Sequence, residues 1–354
     1  MRLDELLEKL VMAPSITGFE TEARKVVMEE LKSLGIEVEV DIIGNVIGKV
    51  KRKDKPKIML VAHMDQIGIM VTYIDEKGYI HFTARGYDPR ILYGQRVVLY
   101  TKKGAIYGVI ATKPPHLLKP EERNKVVTID DMVIDIGANN KEEVEELGIR
   151  SGVVGTISPI YRKLVNDRVL GIGLDDKAGV ASIVGTLAYL NIEEIENVSI
   201  YLVASTQEEV GARGARISAY NIAPDIAIAV DVTFAVSPGI EPKQVSGIEL
   251  GKGVAIGIGP NFHPKLVDLM IRICKEKKIP FQIEPILGPS GTDAWVIQVT
   301  RGGVITGLAS IPLRYMHSAG EVLSLRDVES VAKLLAELIL ELDTMKDWKE
   351  FFKF

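Results

Sequence analysis

The chain opens with Leu3, Leu6, Leu7 and Leu10 at helical spacing among alternating acids and bases. That is the pattern of an amphipathic helix, not of the unbroken apolar stretch of a leader peptide. A break at Ser15-Ile16-Thr17-Gly18 precedes a second helix, which carries Val26, Val27, Leu31 and Leu34 and ends at Gly35. Residues 36–42 alternate like a half-buried strand, and Gly44-Asn45 is a turn signal. Ile58 to Ala62 is a continuous apolar run suited to a strand covered on both faces. From about residue 67 to 157 the helical period disappears. Short β-rich segments at 69–74, 79–83, 96–100, 105–111 and 132–136 are separated by Gly, Asp or Pro turns, which predicts a small barrel or sandwich. Within this region, residues 113–125 (KPPHLLKPEERNK) read as an exposed loop.

From Leu174 helix and strand alternate. The pattern predicts helices over 178–190, 211–220 and 264–277, and strands over 198–205, 226–231, 281–287 and 304–309. Ser324 with Asp327 resembles a capping box opening a last helix through Leu342. Alternation of this kind predicts an α/β fold with a mixed, mostly parallel sheet flanked by helices. Its halves are 1–66 and 158–354, and a small β domain is inserted at 67–157.

Composition narrows the function classes. The chain is 47% hydrophobic, enough to exclude a disordered protein. Its 43 basic and 48 acidic residues give a net charge of -5, which argues against a nucleic-acid partner. No run of about 18 apolar residues occurs, so no transmembrane helix is expected. The single cysteine, Cys274, excludes a disulfide framework and a cysteine-rich zinc module. It suits a reducing cytosol, and a cytoplasmic protein is expected. Asn and Gln total only 15 while Ile, Val, Glu and Lys abound, a composition that leans toward a thermophile.

Five segments set acids or histidines at the ends of predicted buried strands, where α/β sheets build their sites. His63 follows the run 58–62, and Asp65 is placed to take its second ring N–H and fix the tautomer. Asp175-Asp176 opens a helix, where adjacent aspartates also serve as caps and dipole partners. Glu208-Glu209 follows a strand, where like charges cost energy without a cation. Asp231 ends an apolar run, and His317 sits in a loop after Ile311-Pro312. Together they suit two Zn²⁺ or Co²⁺ ions sharing a carboxylate, with one further carboxylate, offered by the Glu208–Glu209 pair, as general base.

The segments AHMDQIG at 62–68, LDDKAG at 174–179, TQEEVG at 206–211, Asp231-Val232-Thr233 and RYMHS at 314–318 resemble those of the TET aminopeptidases. These are co-catalytic di-metal peptidases, also called deblocking or glutamyl-aminopeptidase-like enzymes. DIIGNVIG at 41–48, PPHLLKP at 114–120 and GTDAW at 291–295 extend the likeness in order along the chain. The resemblance implies that Asp175 bridges the metals, with His63 and Asp231 at one and Glu209 and His317 at the other. It further implies that Glu208 is the general base, that the Asp175–Asp176 bond is cis, and that His116 lies in a loop touching substrate or a second subunit. The implied reaction removes N-terminal residues from short peptides bearing a free amino terminus. The implied assembly is a homo-oligomer, a tetrahedral dodecamer built from dimers, with the β insert as a PDZ-like or barrel-like dimerisation domain.

Two rival readings remain at this level. Paired carboxylates also serve glycoside cleavage, but that chemistry has no need of His63 and His317. A non-catalytic assembly module with the insert as peptide binder has no need of Glu208. The preferred terminal residue is open, with a faint lean toward basic peptides from the net charge of -5. His81 and His263 read as structural, and Cys274 as core.

Overall fold

The structure, a computed structural model, describes residues 2–121 and 125–353. The chain divides into two compact units. The first comprises the chain up to Asp65, Tyr161–Met316, and the chain from Glu321 on; the second comprises Gln66–Ile160 with His317–Gly320.

In chain order the strands of the first unit are β1 (Glu37–Val40), β2 (Val46–Val50) and β3 (Lys57–His63). The second unit supplies β4 (Gly68–Ile74), β5 (Ile80–Arg85), β6 (Arg96–Thr101), β7 (Gly104–Ala111), β8 (Val133–Asp135) and β9 (Val154–Ile157). The first unit resumes with β10 (Tyr161–Lys163), β11 (Arg168–Gly171), β12 (Ser199–Ser205), β13 (Ile226–Phe234), β14 (Val254–Ile258), β15 (Phe281–Pro285), β16 (Ile305–Arg314) and β17 (Glu321–Ser324).

The first unit forms one mixed sheet in the order β1-β2-β12-β3-β13-β16-β17-β11-β10, with β14 paired to β16 and β15. Its central strands β12, β3, β13 and β16 run parallel. β3 and β12 are buried almost throughout, which is why their sequences read as unbroken apolar runs. The helix Leu174–Gly185 packs on β3 and β13 and against the helix Leu325–Thr344. Every one of its residues is buried, so it has no polar stripe. Asp175 and Asp176 near its start have non-helical backbone angles, so the regular turns begin after them, close to the start at 178 that the sequence pattern predicts.

The last helix runs Leu325–Thr344, but the expected capping box is not formed. The Ser324 hydroxyl donates to Asp167 at 2.7 Å. The Asp327 carboxylate instead accepts the N–H groups of Gly251 and Gly253 at 2.6 and 2.7 Å. A loop that needed acceptors competed for the aspartate and took it. His263 precedes the helix Pro264–Lys277 and packs edge-on against Phe352, and Cys274 is buried in the same helix.

The second unit closes into a six-stranded barrel, β4-β5-β8-β7-β6-β9, with every adjacent pair antiparallel. His81 lies on β5 with its ring 5.7 Å from that of Tyr73. His116 is exposed in a short 3₁₀ turn, Pro115–Leu117. Of the loop expected at 113–125, residues 122–124 lie outside the described residues. In β9, Gly155 stands opposite both Ile69 and Leu99. A Cβ there would sit 2.5 Å from the Val98 carbonyl oxygen and 2.7 Å from a Leu99 methyl. Gly155→Ala should therefore cost about 1–3 kcal/mol by overpacking. Denaturant unfolding measures this, and an unchanged midpoint would contradict the register of β9.

Candidate metal centre

His63 is the last residue of β3, and its backbone lies level with Ser205 at the end of β12. Ala229 of β13 pairs with Val61, so Asp231, two residues further on, reaches the same level. The parallel register thus brings a histidine and an aspartate to one end of the sheet. Asp175 and Asp176 arrive there from the non-helical stretch that leads into the helix Leu174–Gly185, joined by a cis peptide bond as expected.

The His63 ring is buried, and its Nε2 lies 3.1 Å from an Asp175 oxygen and 3.8 Å from one of Asp231. Its Nδ1 lies 3.0 Å from the backbone carbonyl oxygen of Asp65. When Nδ1 donates there, Nε2 carries a lone pair toward two carboxylates. A proton or a cation must then stand between them. Burial opposes the imidazolium, yet hydrogen bonding to Asp175 and Asp65 prevails and raises its pKa well above the ordinary histidine value.

The sequence expectation for Asp65 needs refinement. Its carboxylate is 3.6 Å from Nδ1, further than its own carbonyl oxygen. One carboxylate oxygen accepts the Glu208 N–H at 3.0 Å. The other accepts the Thr17 hydroxyl at 2.8 Å and the Glu209 N–H at 3.3 Å. Asp65 therefore orients the imidazole through its main chain and the Glu208–Glu209 turn through its side chain. Backbone strain marks the same region: Gln207, Tyr315 and His317 all have left-handed backbones, with φ of 57°, 60° and 59°.

Two groups of side chains are spaced to hold a metal ion, with ligand atoms within 4.8 Å of one another. One is His63, Asp176 and Asp231; the other is Asp175, Glu209 and His317. Asp176 was given no ligand role from sequence. It is fully buried, one oxygen accepts the Gly179 N–H at 3.0 Å, and the other oxygen has no hydrogen-bond partner among the described residues. A Cβ on Gly179 would lie 2.3–2.6 Å from that carboxylate, so glycine leaves the room it occupies. Asp175, within 3.1 Å of His63, links the first group to the second.

The donor set fits divalent cations. Imidazole and carboxylate together suit borderline ions such as Zn²⁺ and Co²⁺. Several carboxylates buried side by side are expensive unless cations compensate them, and the orphaned Asp176 oxygen is a ready acceptor. The protonation balance says the same. Burial raises Glu208 to about 8, with His63 opposing and Asp293, Glu209 and Asp65 adding to the rise. Burial and then Asp176 push Asp231 well up. Asp293, singled out from sequence only within GTDAW, is buried, takes the Ser205 hydroxyl at 2.5 Å, and is raised to about 6 chiefly by burial. His116 lies in the barrel unit and in neither group.

Without cations, His63 and these carboxyls hold protons more tightly folded than unfolded. From the ordinary carboxyl value of about 4 up to about 8 for Glu208, the folded chain binds the more protons. Its stability must fall as pH rises through that window. Chelated protein should melt lower at about pH 8 than at about pH 5, and saturating Zn²⁺ should cancel or reverse the difference. Equal melting of the chelated protein at both pH values would contradict this electrostatic picture.

Residues 44–334 match the model of the M42 glutamyl aminopeptidase family. The lysyl aminopeptidase of Pyrococcus furiosus is 40% identical over 96% of this chain and 98% of its own length. A TET aminopeptidase from a marine sediment archaeon of the Thaumarchaeota superposes with a TM-score of 0.91 at 35% identity, covering 99% of this chain and 98% of that one. A TET peptidase of Pyrococcus horikoshii, described as assembling into a tetrahedron or a large octahedral shell, superposes with a TM-score of 0.85 at 33% identity, covering 96% and 99%. With the family model spanning most of the chain and the relatives nearly all of it, the chain belongs to the M42 glutamyl aminopeptidase family, hydrolases that act on peptide bonds.

Proposed function

We propose that the chain is a di-metal aminopeptidase that removes N-terminal residues from short peptides. The observation that carries this reading is the pair of adjacent ligand groups linked through Asp175, with Glu208 directly beside Glu209. In this reading His63 and Asp231 hold one ion and Glu209 and His317 the other, and Asp175 is shared. Asp176 supports the first group. The ions, Zn²⁺ or Co²⁺, would supply carbonyl polarisation, charge for the developing oxyanion and an acidified water.

The chain's own residues do the proton work. Glu208 is half-buried among carboxylates and protonated more readily than an ordinary glutamate. It is therefore suited to accept a proton from the attacking water at its carboxylate and to deliver it to the departing amine nitrogen. Its neighbour Glu209 is committed to the ligand group, which explains why two glutamates stand together. Asp65 keeps both in place through their backbone N–H groups. The carboxylates also offer charge complementary to a free α-ammonium, so a free amino terminus is part of the reading.

The same reading puts the protein in the cytoplasm as a homo-oligomer, a tetrahedral dodecamer built from dimers, with the six-stranded barrel as the dimerisation element. It rests on the likeness to the TET structures and on the single buried cysteine. No helix among the described residues is long and apolar enough to cross a membrane. A preference for basic terminal residues accords with the relative named for lysine and with the net charge of -5.

Glu208→Gln tests the assignment. Turnover of an aminoacyl chromogenic substrate should fall by about 10²–10⁴-fold, the range for loss of a general acid–base group. Metal content by elemental analysis should stay at the parent's level, because Glu208 is not a ligand. A wild-type rate, or loss of both ions, would refute the role given to it.

A further inference from the structure

β11 and β17 pair antiparallel with Gly171 opposite Glu321. Glu321 thereby stands beside the chain that leads into Asp175. One of its oxygens accepts the Leu174 N–H at 2.7 Å and lies 3.4 Å from the Asp175 nitrogen. The side chain is buried, with 2% of the residue exposed. Leu174 leads into the non-helical, cis-bonded Asp175–Asp176 stretch that precedes the regular turns of the helix, so the N–H groups here join no helical ladder. The position before it is Gly173, left-handed at φ 69° and without a side chain to cap them. A glutamate from a different strand supplies the acceptor that the local sequence lacks. Glu321 is also the residue that opens β17, immediately after the turn containing His317. The neighbouring Lys177 is wholly buried and feels the Glu321 charge, so a charge role and an acceptor role must be separated by experiment.

We propose that Glu321 is a positioning residue of the metal centre. By accepting the backbone N–H groups of Leu174 and Asp175, it fixes the Asp175 carboxylate relative to the ligands around it. The inference rests on the metal-ligand reading of Asp175 given above. Residues that support ligands in this way change metal affinity or activity by about 10–100-fold when removed.

The test compares two substitutions in the full-length protein. Glu321→Gln keeps an acceptor oxygen at the same reach and removes the charge. Glu321→Asp keeps the charge and withdraws the acceptor by about 1.5 Å, one methylene. Affinity for Zn²⁺ is read by competition with a chromophoric chelator, and kcat and KM are measured at saturating Zn²⁺. Glu321→Asp should bind Zn²⁺ about 10–100-fold more weakly and lose kcat, while KM stays within about threefold of the parent. Glu321→Gln should keep Zn²⁺ affinity within about threefold of the parent. If Glu321→Asp binds like the parent, or Glu321→Gln binds as weakly as Glu321→Asp, the proposal is overturned. Should Glu321→Asp fail to fold, Glu321→Met, of similar volume but with no oxygen acceptor, takes its place. Weakened Zn²⁺ binding supports the proposal and unchanged binding overturns it. A parent protein that binds no Zn²⁺ would overturn the metal-centre reading itself, and this inference with it.

Discussion

The buried carboxylate of Asp65 holds three distant stretches of chain together. It accepts a hydroxyl from Thr17 and backbone N–H groups from Glu208 and Glu209, while its own carbonyl oxygen faces the ring of His63. The residue has no exposed surface, so each of these bonds is made in a medium where an unmade one is costly. The consequences run outward. Orientation of the imidazole decides which ring nitrogen faces Asp175 and Asp231. In the proposed reading, orientation of the 208–209 turn decides which glutamate joins the ligand group and which stays available for proton transfer. A sheet register alone would bring these residues near one another; the Asp65 bonds set their angles.

The second constraint is charge. The centre gathers carboxylates around one buried imidazole, at the end of strands with nearly no exposed surface. Such a cluster must be neutralised by protons or by cations, and the two compete for the same oxygens and the same ring nitrogen. The elevated proton affinities of Glu208, Asp231 and His63 express that competition from the proton side. A site built this way is not a tolerant piece of core. It is costly to maintain in the folded chain, and ligation of divalent ions is the function that repays that cost.

The parts legible in the sequence were those written in local pattern. Runs 58–62 and 226–231 ended in His63 and Asp231 because buried parallel strands are apolar until they leave the sheet. The helix Pro264–Lys277 matched its pattern at both ends, marked by proline at its start and a basic last turn. What escaped depended on partners far away in sequence. Asp327 looked like a cap but binds a glycine loop. Asp176 looked like a helix-opening companion of Asp175 but joins His63 and Asp231. Glu321 opens a four-residue strand with no local signal, and only its pairing across from Gly171 shows what it touches. β14 was missed altogether because Gly257 interrupts a short apolar stretch, preceded by Gly253, that pairing, not propensity, makes into a strand.

The central claim is that the clustered carboxylates and histidines form a metal-dependent centre acting on a free amino terminus. The most direct measurement is the rate of release of the first residue from a short peptide and from its N-acetylated form. It is made on the protein as purified, after chelation, and after restoring Zn²⁺ or Co²⁺. We expect cleavage of the free peptide only, loss of that cleavage on chelation, and its return with either ion. Cleavage of the acetylated peptide at a similar rate, or full activity in protein shown by elemental analysis to be metal-free, would contradict the account.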